Sequence, residues 1–152
     1  PEIPARWDYV VETSMCTTLG LDKTVRVGTV EHLMAAFAGC HIDNAIVEVN
    51  GPEVPVMDGS AQPFVFLIEC AGIVEQDRPQ TVIEILKPVR IESEGRVAEI
   101  RPSNTFTVDF EIEFASCAIA RQHIRVELVN GTFNREIARA RTFTSYTSSP
   151  SR

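Results

Sequence analysis

The chain has 152 residues, of which 44% are apolar, and it carries a formal net charge of −7. This apolar content is enough to build a core, so the sequence is not that of a disordered segment. The acidic balance, without a cluster of lysines and arginines, argues against a nucleic-acid partner. Because we see no apolar run near the roughly 18 residues of a membrane span and no secretory signal, we expect a cytoplasmic protein without a membrane span.

The first half of the chain predicts two helices with a strand between them. A helix over 30–38 is expected to begin at Thr29 as its N-cap and to end at Gly39. Its apolar stripe comprises Val30, Leu33, Met34 and Phe37. Residues 43–50 alternate apolar and polar side chains before Gly51 and Pro52, which predicts a strand that ends in a turn.

The second predicted helix covers residues 61–71. Ser60 is placed to cap it, Pro63 falls in its first turn and Gly72 follows its last residue. The apolar stripe of this helix comprises Phe64, Leu67, Ile68 and Ala71. A polar string at 75–80 then interrupts the apolar pattern, and it is the best candidate for a domain boundary.

The second half predicts strands. Residues 106–114 alternate almost ideally, and the stretch from His123 alternates up to Asn130 and Gly131, a dipeptide typical of a hairpin turn. From residue 80 to the end no amphipathic stretch is long enough for a helix to cover these strands. The tail at 144–152 is polar and rich in serine.

The cysteines, at positions 16, 40, 70 and 117, contain no C-x-x-C pair. This spacing removes the usual zinc-knuckle and dithiol redox interpretations. We expect reduced thiols that are mostly buried.

Glu31 and His32 stand side by side at the start of the first predicted helix. On a helical wheel His32 points roughly 150° away from the apolar stripe, so it is not a core residue of this helix. One interpretation is that Glu31 favours the positive end of the helix dipole and His32 faces water. The other is a metal ligand beside a general base. The HExxH zinc motif is excluded because Ala36 stands four residues after His32.

Four blocks of sequence, in this order, resemble the zinc-dependent UDP-3-O-acyl-N-acetylglucosamine deacetylase family of lipid A biosynthesis. The blocks read CTTLG, TVEHLMAAFAG, IDNAIVEVNGPEVPVMDGSAQPFVFLIECAGI and REIARARTF, and the resemblance runs from about residue 2 to residue 143. It implies an α+β fold of two-layer α/β sandwich domains of similar topology, with the active site in the cleft between them. The domains would be 1–75, without its N-terminal strands, and 80–152, mostly β and incomplete because it lacks its helices.

The same resemblance implies the chemistry. His32 would be a ligand of Zn²⁺, and Glu31 the general base that takes a proton from the zinc-bound water. Thr142 and Phe143 match a threonine–phenylalanine pair near the metal and the sugar, and Cys16 lies in a segment that borders the active site and the acyl channel. These three are the candidate residues for binding the UDP-sugar lipid substrate. The turn at 58–60 looks like capping chemistry, without a catalytic role.

The chain also departs from the family pattern. Where the family has a GF pair after the threonine–phenylalanine pair, this chain has Thr144 and Ser145, and the HxxxD helix that completes the zinc site is absent. One of three family zinc ligands can be placed, so the isolated chain is expected to be inactive. A local site of His32, His41 and Asp43 is the competing metal site. The alternative function is a truncated or divergent, non-catalytic interaction module. The sequence carries no signature of an oligomeric state.

Overall fold

The computed structural model describes residues 1–143, and the polar tail predicted at 144–152 lies outside them. It contains helices and antiparallel sheets, which confirms the α+β class. The two-layer sandwich arrangement stays a prediction. In chain order the strands and helices are β1 Val10–Glu12, β2 Thr18–Gly20, β3 Arg26–Val27, α1 Glu31–Gly39, α2 Gln62–Ala71, β4 Val89–Ser93, β5 Arg96–Ile100, β6 Thr107–Glu113 and β7 Arg121–Glu127. A short 3₁₀ turn at Trp7–Tyr9 and a π-helical turn at Phe133–Ile137 complete the described elements.

Contacts between residues divide the chain into two units. Among the described residues, the first contains Pro1–Glu75 and the chain from Asn134 to Phe143, and the second contains Gln76–Phe133. The predicted sandwich domains at 1–75 and 80–152 stay a prediction, because these contacts do not test whether each is a complete folding unit.

In the first unit, strands β1, β2 and β3 form an antiparallel sheet in that order. The chain then passes through Gly28, which forms an isolated parallel bridge with Glu53: the Gly28 amide donates to the Pro52 carbonyl, and its carbonyl accepts the Val54 amide. A Cβ atom on Gly28 would lie 3.5 Å from both Cys16 Sγ and Thr18 Oγ1, an ordinary van der Waals distance. The segment that enters α1 therefore passes next to strand β2.

Helix α1 starts and ends differently from the prediction. Thr29 does not cap it, because Thr29 adopts a left-handed φ of 56° and its hydroxyl donates to Glu53 Oε2 at 3.1 Å. Gly39 is the last helical residue, and His41, with φ of 57°, takes the left-handed position after the helix. The amides of His41 and Ile42 donate to the carbonyls of Ala38 and Phe37, the pair of bonds of a Schellman motif.

The prediction of a strand at 43–50 is wrong, because the structure has no strand over these residues. Residues 43–50 are exposed, and no strand in the part of the chain that the structure describes pairs with them. Alternation predicts which faces a strand would present, but a strand forms only with a partner to satisfy its backbone groups.

Helix α2 begins and ends close to its predicted bounds. Ser60 is fully buried and its Oγ accepts the Gln62 amide at 3.2 Å, although the helix assignment places the cap at Ala61. Gly72, with φ of 81°, ends the helix as predicted. The core side of α2 is formed by Phe64 and Val65, which corrects the predicted stripe. In particular Leu67 is 55% exposed, because the neighbours of α2 lie on a different side from the one that periodicity alone selects.

The second unit contains two separate hairpins. Strands β4 and β5 are joined by Glu94 and Gly95, both with positive φ, as a type I′ turn requires. Strands β6 and β7 pair antiparallel, which confirms the strand predicted at 106–114. The hairpin predicted at Asn130 and Gly131 is wrong, because a π-helical turn follows Gly131 instead of a second strand.

One face of the β6–β7 hairpin is apolar and largely uncovered. Phe110 is 59% exposed on it, whereas Val126 is buried. The described residues after 75 contain no α-helix that could cover this face, as the sequence predicted.

No helix within residues 1–143 has both the length and the apolar character needed to cross a lipid bilayer.

The four cysteines are free, as expected, but the prediction that most are buried is wrong: Cys16 and Cys40 are half-buried, and Cys70 and Cys117 are exposed.

Candidate active site

Glu31 is the first residue of α1, and its carboxylate is held by the residue that precedes strand β2. Oε2 accepts the backbone amide of Thr17 at 3.0 Å, and the amide of Val30 donates to the Thr17 carbonyl at 3.3 Å. The residue before β2 is thus bound to the start of α1 through both its amide and its carbonyl. Within the described chain Oε1 of Glu31 has no hydrogen-bond donor, so one carboxylate oxygen is fixed and the other is available.

The same contact brings a second predicted residue close to Glu31. Cys16 directly precedes Thr17, and its Sγ lies 3.6 Å from Thr18 Oγ1 in a half-buried position. His32 follows Glu31 and is also half-buried, so it is neither a core residue nor fully solvated. We call Cys16, Thr17, Glu31 and His32 the helix-start cluster.

Thr142 and Phe143 follow Arg141, and the backbone at this point is bound to the turn before α2. The Thr142 amide donates to the Gly59 carbonyl at 2.8 Å, and Arg141 Nε donates to the Asp58 carbonyl at 2.7 Å. No hydrogen bond of the described residues joins Thr142 to Glu31 or His32. The structure therefore attaches Thr142 to the turn before α2, an attachment that periodicity could not reveal because 83 positions separate Arg141 from Asp58.

The turn at 58–60 is built by its own side chains. Asp58 Oδ1 accepts both the Ser60 amide, at 3.0 Å, and the Ser60 hydroxyl, at 2.7 Å. The hydrogen bond from Ser60 lowers the pKa of the Asp58 carboxyl, and the positive charge of Arg141 acts in the same direction. The turn thus has the capping chemistry that the sequence predicted.

The two remaining histidines, His41 and His123, take part in the local structure of a helix end and of a hairpin. His41 ends α1, and His123 Nε2 lies 2.8 Å from Asp109 Oδ1 on the solvated face of the β6–β7 hairpin. The hydrogen bond with His123 lowers the pKa of the Asp109 carboxyl.

A complete metal site is not formed by residues 1–143. No three side chains of histidine, cysteine, aspartate or glutamate come together there as metal ligands, so His32, His41 and Asp43 do not form the competing local site. The described residues alone therefore do not fit a zinc ion with three protein ligands. A zinc site that includes His32 needs ligands from outside these residues.

A shallow groove of about 930 Å³ also lies in the first unit. Leu33 of α1, Phe64 of α2 and the exposed segment 47–51 line it. Neither Glu31 nor His32 lines this groove, so we do not assign it to the helix-start cluster.

Comparison with known proteins agrees with the order of the sequence blocks. The family described as "LpxC: UDP-3-O-acyl N-acetylglycosamine deacetylase" matches residues 1–149. Proteins named UDP-3-O-acyl-N-acetylglucosamine deacetylase from Shewanella sp. (strain W3-18-1), Shewanella oneidensis and Shewanella baltica are each 50% identical to the chain over 143 residues. These matches cover 93% of the chain and 47% of each relative, so the chain spans about half the length of the curated relatives it matches. By this match along nearly its whole length, the chain belongs to the LpxC family.

Proposed function

We propose that the polypeptide carrying this segment is a zinc-dependent hydrolase that removes the N-acetyl group of UDP-3-O-acyl-N-acetylglucosamine in lipid A biosynthesis. Membership of the family and the names of its relatives support the reaction. The observation that carries the proposal is the Glu31 carboxylate, held through one oxygen at the start of a helix and followed directly by His32.

Glu31 acts as the general base of this reaction. The Thr17 amide fixes Oε2, so the carboxylate keeps its orientation while Oε1 accepts a proton from the attacking water. The water oxygen forms a bond to the acetamide carbon, and the bond from that carbon to nitrogen then breaks. Glu31 returns the proton to the leaving nitrogen, and the products are acetate and the glucosamine amine.

His32 is one ligand of the zinc ion, with the other ligands supplied from outside residues 1–143. When bound, zinc supplies Lewis-acid chemistry that makes water a nucleophile near neutral pH. Adjacent helical residues diverge by about 100°, so Glu31 and His32 serve one site only from the rim of the helix, which is where both stand.

Three further residues bind substrate. The Thr142 hydroxyl polarises the acetamide carbonyl and the Phe143 ring packs on the substrate. Cys16, next to the amide that holds Glu31, lies at the border of the acyl channel.

The test compares a polypeptide of the relatives' full length, carrying this segment, with its His32→Ala variant. We expect acetate release from the UDP-sugar lipid and one zinc ion per chain in the first, and loss of both in the second. Full activity of the metal-free His32→Ala variant would contradict the zinc assignment, and an inactive wild-type polypeptide would contradict the function.

The isolated 152-residue chain provides a second comparison. We expect it to lose zinc on dialysis and to release no acetate, because one imidazole binds zinc weakly. Stoichiometric zinc that survives dialysis and disappears on His41→Ala would favour the local site of His32, His41 and Asp43.

The exposed apolar face of the β6–β7 hairpin favours a second candidate, a non-catalytic interaction module. An inactive wild-type polypeptide of full length that nevertheless binds a partner through Phe110 would support it. Deacetylation by that polypeptide would reject it.

A further inference from the structure

The chain from Asn134 to Phe143, which we name the return segment, is attached near both ends of α2. Asn134 Nδ2 donates to Glu69 Oε1 at 2.9 Å, close to the last turn of the helix. At the other end, Arg141 and Thr142 donate to the carbonyls of Asp58 and Gly59. These bonds join residues 65 and 83 positions apart, so they fix the return segment on the first unit.

The carbonyls that accept the bonds from Arg141 and Thr142 belong to the turn at 58–60. Asp58 binds Ser60 through two hydrogen bonds, and Ser60 is fully buried. The carbonyls of Asp58 and Gly59 are therefore presented by a turn that its own side chains help to hold.

Gly59 also approaches the return segment closely. Its φ of 84° is one that residues with a side chain rarely adopt. A Cβ atom there would lie 3.4 Å from Thr142 Cγ2, in van der Waals contact. Thr142 thus lies directly over the turn, and the positive φ is what favours glycine at position 59.

We propose that Arg141 and Gly59 are positioning residues for Thr142 and Phe143. Arg141 binds a carbonyl through Nε, a charge-assisted bond with the directionality of a guanidinium group. It precedes Thr142 directly, so the bond sets the path of the backbone from which the Thr142 hydroxyl and the Phe143 ring project. This role rests on the proposed function, which places those two side chains on the substrate.

The test uses the zinc-loaded polypeptide of full length with Arg141→Met, which keeps a long side chain and removes the donors. The control is Arg139→Met, which removes the same charge from an exposed neighbour. Arg141→Lys keeps the charge but loses the planar guanidinium. The measurements are kcat, KM, zinc content, the midpoint of thermal unfolding and hydrogen exchange at the Thr142 amide.

We expect Arg141→Met to lower kcat/KM by roughly 10-fold to 100-fold, as small displacements of substrate-positioning groups do. KM should rise as kcat falls, and exchange at the Thr142 amide should become faster, with zinc content unchanged. Arg141→Lys should recover only part of the loss, and Arg139→Met should stay within about twofold of the wild type. A purely structural role would instead lower kcat through the active fraction and leave KM unchanged.

Values of kcat/KM within twofold of the wild type for Arg141→Met, in an enzyme that is itself active, would overturn the positioning role. An equal loss in Arg139→Met would also overturn it. A wild-type polypeptide without deacetylase activity would instead contradict the proposed function, and the positioning role with it.

If Arg141→Met does not fold, Gly59→Ala decides the question. Its control is Gly95→Ala, where φ is 76° and an added Cβ meets nothing within 4 Å. A rise in KM confined to Gly59→Ala supports the proposal, and equal KM values in the two variants reject it.

Discussion

The two helices of the first unit begin in opposite ways. Helix α2 begins after a turn in which Asp58 and Ser60 bind each other and Ser60 accepts the Gln62 amide. Helix α1 begins without a side-chain cap, after Thr29 in a left-handed conformation. Its first acidic side chain, Glu31, accepts the amide of Thr17, the residue before strand β2, and does not cap the helix. The comparison indicates that bonds between neighbouring side chains and amides fix the start of α2, whereas a bond to a residue 14 positions away fixes the start of α1.

The strongest test of this difference is to remove the carboxylate at the start of α1. In the polypeptide of full length we expect both Glu31→Ala and Glu31→Gln to lose about 100-fold or more in turnover, the range of a general base. Glu31→Gln is the sharper variant, because its amide oxygen still accepts the Thr17 amide but cannot take a proton. Turnover and bound zinc are measured together, and zinc should remain, since we propose Glu31 as the base and not as a ligand. A parallel loss of zinc and turnover would make Glu31 a metal ligand.

A smaller effect is expected from the residues that precede the two helices. Ser60→Ala should lower the free energy of unfolding of the chain by about 1–2 kcal/mol, because it removes the acceptor of the Gln62 amide and a buried partner of Asp58. Thr29→Ala should change it by less than about 0.5 kcal/mol, because this residue does not cap α1. Urea unfolding followed by circular dichroism measures both. An equal cost for Thr29→Ala would show that α1 is also stabilised at its start by a side chain.

The smallest expected effect is on the stability of the chain at acidic pH. The Ser60 hydrogen bond lowers the pKa of Asp58 in the folded chain, so its contribution to stability is present above the unfolded pKa of about 3.9. That contribution is lost as the pH falls from there through the folded pKa. Asp58→Asn keeps an acceptor for Ser60 and should flatten this part of the stability curve below about pH 4. Asp77→Asn controls for the loss of one exposed negative charge, and an equally steep acid response in Asp58→Asn would contradict the assignment.

Local chemistry allowed part of the fold to be predicted. The end of α2 at Gly72 and the strand β6 follow from conformational preference and alternation within a few residues. The Glu94–Gly95 turn carries a signal of the same kind, a glycine between two alternating stretches.

The incorrect predictions depend on contacts or on context. The stretch at 43–50 has the pattern of a strand, but pattern does not supply a partner. Gly131 has the positive φ of a turn residue, yet the residues after it do not continue as a strand. At the end of α1, His41 occupies the left-handed position that a glycine was expected to mark, because the Schellman bonds compensate its strain.

In the candidate site, too, some residues could be predicted from the sequence, whereas the contacts that hold them could not. Glu31 and His32 could be selected because their pairing at a helix start is chemically unusual and because the surrounding blocks resemble one family. The Thr17 amide that holds Glu31 could not be predicted, since 14 positions separate the two residues and only the tertiary fold joins them. The same is true of the bond from Arg141 to the Asp58 carbonyl.

The charged face of the β6–β7 hairpin determines how its two strands align. Asp109 contacts both His123 and Arg125, and Glu111 contacts Arg121, so in each of these pairs the acid lies on β6 and the base on β7. Each of these pairs is exposed and contributes little to stability alone. A slip of one residue would turn the basic side chains of β7 toward the face that carries Phe110, and would turn Ile124 toward the acids. The alternating charges thus select one alignment among several that backbone hydrogen bonding alone would accept.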